Sequence, residues 1–194
     1  MKQRELQDLI ISWLTISLAF SYYGRLANLG TFFYLFPISL IAVGTGFVAH
    51  ELAHRTVARR YGCYAEFRMW PFGLVLALLF SLLFGVVFAA PGAVYVYGPH
   101  ISRRQNAKIS LAGPLTNALI GILFLIIFVV LVQEYNTYVG MLIYRVSTLN
   151  LWFAVFNLIP FPPLDGNEVA KYFPGIWALL FFGTLGLLFF IGYF

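Results

Sequence analysis

Six stretches of the chain lack any Asp, Glu, Lys or Arg, and their lengths strongly constrain how it can fold. They are residues 9 to 24, 26 to 49, 69 to 99, 109 to 133, 146 to 164 and 172 to 194. A helix that crosses a bilayer needs about 17 to 25 largely apolar residues. Only 10% of the residues are charged, against about 25% in soluble domains. The sequence therefore predicts a multi-span membrane protein.

The third apolar run differs from the others. Its flanks, YAEFRMW and AVYVYG, are rich in the aromatic and β-branched residues typical of short strands. Basic residues cluster before it, at positions 55 to 68, and after it, at positions 103 to 108. The positive-inside rule places both clusters in the cytoplasm. We therefore expect residues 72 to 90 to enter and leave on the same side, although a full span stays open.

The predicted fold is thus an all-α polytopic membrane protein. It is a bundle of about five to six transmembrane helices with a small β-element and a re-entrant or extra helical segment at 72–90. We expect residues 1 to 194 to form a single integral-membrane domain, with the first apolar run retained as a span. The net charge of +5 is explained by basic cytoplasmic loops, so no nucleic-acid partner is expected. The lone Cys63 excludes an intrachain disulfide framework.

The second apolar run ends in an unusual polar cluster, AHELAH, which contains the H-E-x-x-H pattern at His50, Glu51 and His54. Residues four apart on a helix share a face, so the two imidazoles can bind one Zn²⁺. Glu51 lies beside them and can take a proton from the activated water. The alternative is a hydrogen-bonded histidine pair. Placement at the end of a membrane run makes accidental polarity costly and favours the metal site.

A catalytic zinc requires a third protein ligand and an open position. The candidates are His100 in a basic loop, Asp8 among other charges, and Asp165 in NLIPFPPLDGNE. Three prolines break any helix before Asp165, and Gly166 permits a tight turn. Broken backbone at membrane depth is tolerated where it is buried or lines a wet cavity. Asp165 reaches the same side of the membrane as His54 only if residues 72 to 90 turn back, and the distribution of basic residues favours the same topology. The alternative interpretation of Asp165 is that it lies in an ordinary surface turn.

Three motifs in this order resemble the site-2 protease family of intramembrane zinc metalloproteases, in a minimal prokaryotic or archaeal form without a PDZ domain. They are AHELAH, LAGPLTN at residues 111 to 117, and NLIPFPPLDG at residues 157 to 166, and they cover core helices over about residues 31 to 170. The resemblance implies one Zn²⁺ per chain bound by His50, His54 and Asp165. It implies Glu51 as general base and then acid.

Two asparagines also match the pattern of that family. Asn157 matches a polar position facing the active site, and the resemblance implies a catalytic role in holding the scissile strand or the oxyanion. Asn117 matches the Gly-Pro-x-x-Asn element. An interhelical hydrogen bond is the alternative for both.

Gly44 and Gly46 in VGTG predict a close helix approach that seals the site from lipid.

The expected activity is that of an intramembrane zinc endopeptidase, which cleaves within or near transmembrane segments of single-span or multi-span proteins in regulated intramembrane proteolysis. A helical substrate must unwind, and a strand edge near residues 64 to 69 or 93 to 98 can receive it. We expect a multi-pass protein of the cell membrane with its active site toward the cytoplasm. The alternative is a catalytically inactive zinc-binding chaperone or assembly factor; a metal transporter fits less well, because only one ionisable cluster is present.

Overall fold

The computed structural model describes residues 2–21, 29–85, 87, 91–98, 101–132 and 134–192. Two strands and eight α-helices occur in these residues, and two of the helices continue into π-helical turns. The elements in chain order are α1 (Gln3–Ser21), α2 (Leu29–Val43) with its π-turn (Gly44–Val48), α3 (Ala49–Arg60), β1 (Tyr64–Met69), α4 (Pro71–Phe84), β2 (Gly92–Tyr97), α5 (Arg103–Ile127) with its π-turn (Phe128–Val132), α6 (Tyr138–Asn157), α7 (Gly166–Tyr172) and α8 (Pro174–Ile191).

Four helical segments are long and apolar enough to cross a membrane. They are Gly30–Arg60, which joins α2 to α3, Arg103–Val132, Tyr138–Asn157 and Pro174–Ile191. The shorter apolar helix α4 and the N-terminal helix α1 account for the other two charge-free runs. The expected mostly α-helical membrane fold with a small β-element is therefore confirmed. The charge-free run that begins at residue 146 predicts the start of one helix wrongly. Helix α6 begins earlier, at Tyr138, and contains Arg145.

The two strands bring both ends of the third apolar run together. β1 and β2 pair antiparallel from Tyr64 opposite Tyr97 to Met69 opposite Gly92. Just beyond the strands, the backbone N–H of Trp70 donates to the Pro91 carbonyl at 2.8 Å. The chain therefore leaves and returns at one point, as the re-entrant interpretation of residues 72 to 90 requires.

Helix α4 lies against α1 rather than standing alone. The Ser81 hydroxyl on α4 donates to the carbonyl of Ala19 on α1 at 2.6 Å. Pro71 occupies the first turn of α4, where a missing N–H costs nothing, and Gly85 ends the helix with φ of 69°. Local sequence thus sets both ends of this 14-residue helix, and packing on α1 satisfies its one buried hydroxyl.

The glycines of VGTG confirm the predicted close helix approach. A Cβ on Gly46 would lie 2.6 Å from a ring carbon of Phe153 on α6, and one on Gly44 would lie 3.2 Å from Nε1 of Trp13 on α1. Both glycines belong to the π-turn between α2 and α3. Their small size lets α1 and α6 approach the helix just before the His50 cluster.

Candidate metal centre

His50 and His54 on α3 meet Asp165 at the start of α7. Nε2 of His50 and Nε2 of His54 are 2.9 Å apart. Oδ2 of Asp165 lies 3.3 Å from the first nitrogen and 3.1 Å from the second. Together the three residues offer ligand atoms that all lie within 4.8 Å of one another. The structure therefore brings together the three side chains that the sequence selected from distant positions.

The outer nitrogens of both imidazoles are held by hydrogen-bond acceptors. Nδ1 of His54 lies 2.7 Å from the carbonyl of Ile109, and Nδ1 of His50 lies 2.5 Å from Oδ1 of Asn117. A carbonyl oxygen only accepts, so each Nδ1 carries a proton, and in a neutral ring this leaves a lone pair on Nε2. This arrangement of a ligating histidine with an outer acceptor is the usual one at metal sites.

Asn117 is fully buried and joins three helices. Its Nδ2 donates to the Gly46 carbonyl at 2.8 Å and to Oδ1 of Asn150 at 3.1 Å. Asn150 on α6 in turn donates to the Thr45 hydroxyl at 3.2 Å. Gly46 and Thr45 lie in the π-turn, an irregularity that is frequent at functional sites. Because both of its donors are used, Asn117 presents its oxygen to His50.

Gly113 on α5 leaves the space beside the two Nε2 atoms. A Cβ at this position would lie 2.6 Å from Nε2 and Cε1 of His50 and would also overlap Nε2 of His54. Alanine, the smallest substitution, would therefore place a methyl group against the ligand atoms. The backbone of α5 closes one side of the centre without a side chain.

Asp165 reaches the histidines because its loop folds back on the end of α6. Gly166 follows it, and a Cβ there would lie 2.7 Å from the Ile159 carbonyl and would overlap that of Leu158. The same Leu158 carbonyl accepts a hydrogen bond from Nε1 of Trp177 on α8 at 2.7 Å. The glycine of LDG is thus a packing requirement of the loop that carries the carboxylate.

The remaining predicted residues have different positions. Glu51 is buried on α3 next to His50. The Nδ2 of Asn157 donates to the Phe153 carbonyl one turn earlier on α6, at 3.0 Å. Asp8 is not part of the centre, because its carboxylate pairs with Arg68 at 3.5 Å. His100 lies outside the described residues.

Sequence reasoning missed three groups at the centre: the space at Gly113, the carbonyl of Ile109 and the side chain of Asn150. A backbone carbonyl leaves no signature in residue type. The signal for Gly113 was its place in LAGPLTN, four residues before Asn117 and therefore on the same helix face. Asn150 had a weaker signal, as a polar residue within an apolar helix.

The donor set fits a zinc ion. Two neutral imidazole nitrogens and a carboxylate oxygen form a ligand set of the type found at catalytic zinc, which keeps a further position open. The two Nε2 atoms and the carboxylate oxygen lie about 3 Å apart, so a cation or a proton must lie among them. The fold and the centre together define a helical membrane protein with a candidate catalytic zinc site, and the comparison with known proteins identifies its family.

The model of Peptidase family M50 matches residues 38–145. The chain is 45% identical to "Putative zinc metalloprotease MJ0611" of Methanocaldococcus jannaschii, over 95% of this chain and 92% of that protein. It is 32% identical to "Zinc metalloprotease MJ0392" of the same organism over 64% of this chain and 30% of that protein. For "Putative zinc metalloprotease YwhC" of Bacillus subtilis the identity is 29%, over 74% and 73%. No solved structure matches the chain.

The chain belongs to peptidase family M50. It is a membrane-embedded zinc metalloprotease with a protein substrate. The resemblance to site-2 proteases drawn from the three motifs is thereby confirmed.

Proposed function

We propose that the protein is an intramembrane endopeptidase that hydrolyses peptide bonds within or next to transmembrane segments, as in regulated intramembrane proteolysis. The observation that carries this proposal is the convergence of His50, His54 and Asp165 within segments of a membrane-embedded helical fold. Residues 1 to 194 would act as one domain in a multi-pass protein of the cell membrane.

The proposed division of labour follows from the positions of the side chains. His50, His54 and Asp165 hold the zinc, which when bound activates a water molecule and polarises the scissile carbonyl. Glu51 is the single carboxylate on α3, and it is buried beside His50. It accepts the proton of the attacking water and delivers it to the leaving amine. Asn117 positions His50 through the hydrogen bond to Nδ1.

Asn157 is proposed to contact the substrate. It is the last residue of α6, at the point where the chain turns into the loop that ends at Asp165. Its Nδ2 is bonded to the Phe153 carbonyl, so a substrate strand or oxyanion would have to compete for that donor. Asn157→Ala and Asn157→Asp together test this: loss of turnover in both with zinc retained supports substrate contact, whereas full activity of either variant contradicts it.

The active site is proposed to face the cytoplasm. His54 lies one and a half turns before Arg59 and Arg60, at the basic end of α3, and the basic start of α5 packs beside it. Basic residues favour the cytoplasmic side. Cysteine accessibility at Arg59→Cys and at Tyr135→Cys, in the loop before α6, tests this orientation: cytoplasmic labelling only of the first supports it, and the reverse pattern contradicts it.

The sheet offers an edge for an unwound substrate. Among the described residues β1 and β2 pair only with each other. The Phe67 N–H of β1 donates to Glu5 of α1, so the outer edge of β2 is the one offered to a substrate. In an antiparallel pair, successive residues direct their N–H groups to opposite edges. Of Val94→Pro and Tyr95→Pro, one therefore removes an outward N–H of β2. We expect that variant to cleave more slowly with zinc retained; unchanged cleavage in both variants would contradict a role of this edge.

The decisive experiment compares the wild type with Glu51→Gln on a single-span reporter, with zinc content measured in both. General acid–base catalysis typically contributes about 10²- to 10⁴-fold, so we expect cleavage to fall by that order while zinc stays bound. Equal cleavage by both proteins would remove Glu51 from the mechanism. Zinc in both with cleavage of no reporter would favour the alternative, an inactive zinc-binding chaperone or assembly factor.

A further inference from the structure

A groove of about 530 Å³ runs along the packed pair of helices α3 and α5. None of the three proposed zinc ligands lines it. Its apolar part lies beside Ala49 and Ala53 on α3 and Leu111 and Ala112 on α5. The alanines leave the space, because their side chains are too small to fill the gap between two adjacent helices. The groove is therefore separate from the candidate metal centre.

One end of the groove is basic. Arg60 from α3 and Lys108 from α5 both line it and are both exposed. The two helices run antiparallel, since His54 contacts Ile109 while His50 contacts Asn117. The end of α3 and the start of α5 consequently lie together, and the two cations share one end of the groove.

These two cations differ from Arg55 and Arg68, the arginines nearby that pair with carboxylates of the chain. Arg55 is paired with Glu5 at 2.8 Å, and Arg68 with Glu66 at 2.7 Å. Within the described part of the chain, no carboxylate pairs with Arg60 or Lys108. The groove therefore presents positive charge that the protein itself does not neutralise, and an anionic ligand would complement it.

The length of the groove fits one membrane leaflet. From Arg60 back to Ala49 is eleven helical steps, or about 16 Å along α3 at about 1.5 Å per residue. One leaflet of hydrocarbon is about 15 Å deep, half of the roughly 30 Å core. An acyl chain that starts at the basic pair would reach the far end of the groove.

We propose that this groove binds one anionic phospholipid, with its phosphate between Arg60 and Lys108 and an acyl chain along the alanines of α3 and α5. Basic pockets between membrane helices are a recognised form of headgroup site. The lipid would contact the helix that carries His50 and His54 and the helix that carries Gly113. It would therefore stabilise the pair of helices on which the metal centre is built, since a ligand of the folded state raises stability.

Native mass spectrometry of the purified full chain tests the proposal. Phosphatidylglycerol and phosphatidylcholine with the same acyl chains are added in separate samples. Two basic residues near a membrane surface contribute on the order of 30-fold in affinity. We expect one phosphatidylglycerol per chain to be retained with that preference, and the variant Arg60→Gln/Lys108→Gln to lose it. The matched control Arg59→Gln/Arg103→Gln removes two charges from the same two helix ends outside the groove and should keep the lipid.

A second variant tests the apolar part independently. Ala112→Leu fills the groove and leaves both cations in place, so it should also abolish retention. Equal retention of both lipids, or equal loss in the control and groove variants, would overturn the proposal. Displacement by inorganic phosphate as effective as by short-chain phosphatidylglycerol would assign the basic pair to free phosphate instead. Unchanged lipid retention in Arg60→Gln/Lys108→Gln, with reduced crosslinking to a single-span substrate, would assign the groove to the substrate.

Discussion

Two polar clusters meet at neighbouring residues of α3, and they differ in how their charges are balanced. Arg55 belongs to the first cluster, where its guanidinium pairs with the buried Glu5 of α1. His54 belongs to the second, where Nε2 atoms of two imidazoles and the carboxylate of Asp165 face one another. Opposite charges complete the first cluster without any ligand. The second brings two imidazoles against one carboxylate, and a cation or a proton is needed to join them.

The comparison shows what distinguishes the candidate metal centre from a structural ion pair in this fold. Burial and polarity are common to both: Glu5 is 2% exposed and His54 is 7% exposed. The difference lies in what joins the groups of each cluster: an arginine of the chain itself in the first, and a bound cation or a proton in the second. Changes in the His54 cluster should therefore alter zinc binding first, and changes in the Glu5–Arg55 cluster should alter folding stability first.

The largest effect on zinc is expected for Asp165→Asn. Asparagine has nearly the same shape but no charge, so the third ligand weakens without a cavity. We expect a loss of zinc affinity larger than the roughly 10- to 100-fold that outer partners contribute, and loss of cleavage with it. Glu168→Gln is the matched control, because Glu168 follows on α7 and its Oε1 contacts Lys171 at 3.3 Å and the Asn167 side chain at 3.1 Å rather than the histidines. Equal zinc content in the two variants would contradict the assignment of Asp165.

Gly113→Ala should come next. The added methyl group overlaps the ligand nitrogens of both histidines, and overpacking of this kind typically costs about 1–3 kcal/mol. We expect reduced zinc content and a lower Tm in detergent. Gly183→Ala on α8 is the matched control, since a Cβ there meets nothing within 4 Å. A Gly113→Ala protein that binds zinc as tightly as this control would show that the space beside the histidines is not required.

A smaller effect is expected for Asn117→Ala. Loss of the acceptor on Nδ1 of His50 frees the ring to change tautomer, and such outer partners are worth about 10- to 100-fold in metal affinity. Asn150→Ala removes only the neighbour of Asn117, so its effect on zinc should be weaker. Competition with a chelator measures both. An Asn150→Ala effect equal to or larger than that of Asn117→Ala would reverse the proposed order of contacts.

Much of the fold and the centre could be predicted from the sequence because the relevant signals are local. Charge-free runs mark the apolar segments, and the spacing of His50 and His54 follows from one helical turn. Asp165 was identified by its proline-rich loop and by the topology that residues 72 to 90 impose. The paired strands β1 and β2 agree with that topology.

The parts that could not be predicted depend on contacts between distant segments. The sequence does not show that the backbone of Gly113 would lie against the two imidazoles, because this follows from how α5 packs on α3. The same holds for the carbonyl of Ile109, which carries no side-chain signal. The start of helix α6 could not be predicted either, because this helix includes Arg145 and begins before the charge-free run.

The smallest effect on zinc is expected for Glu5→Gln, which changes the Glu5–Arg55 cluster and leaves the three candidate zinc ligands intact. The carboxylate holds Nε of Arg55 at 2.8 Å and accepts from the Phe67 N–H of β1 at 3.4 Å. Losing a charged hydrogen-bond partner in a buried site typically costs about 1–3 kcal/mol. We expect a lower Tm in detergent at unchanged zinc affinity. A loss of zinc as large as in Asn117→Ala, at unchanged Tm, would mean that the ion pair acts on the metal centre, and the two clusters would then form one functional unit.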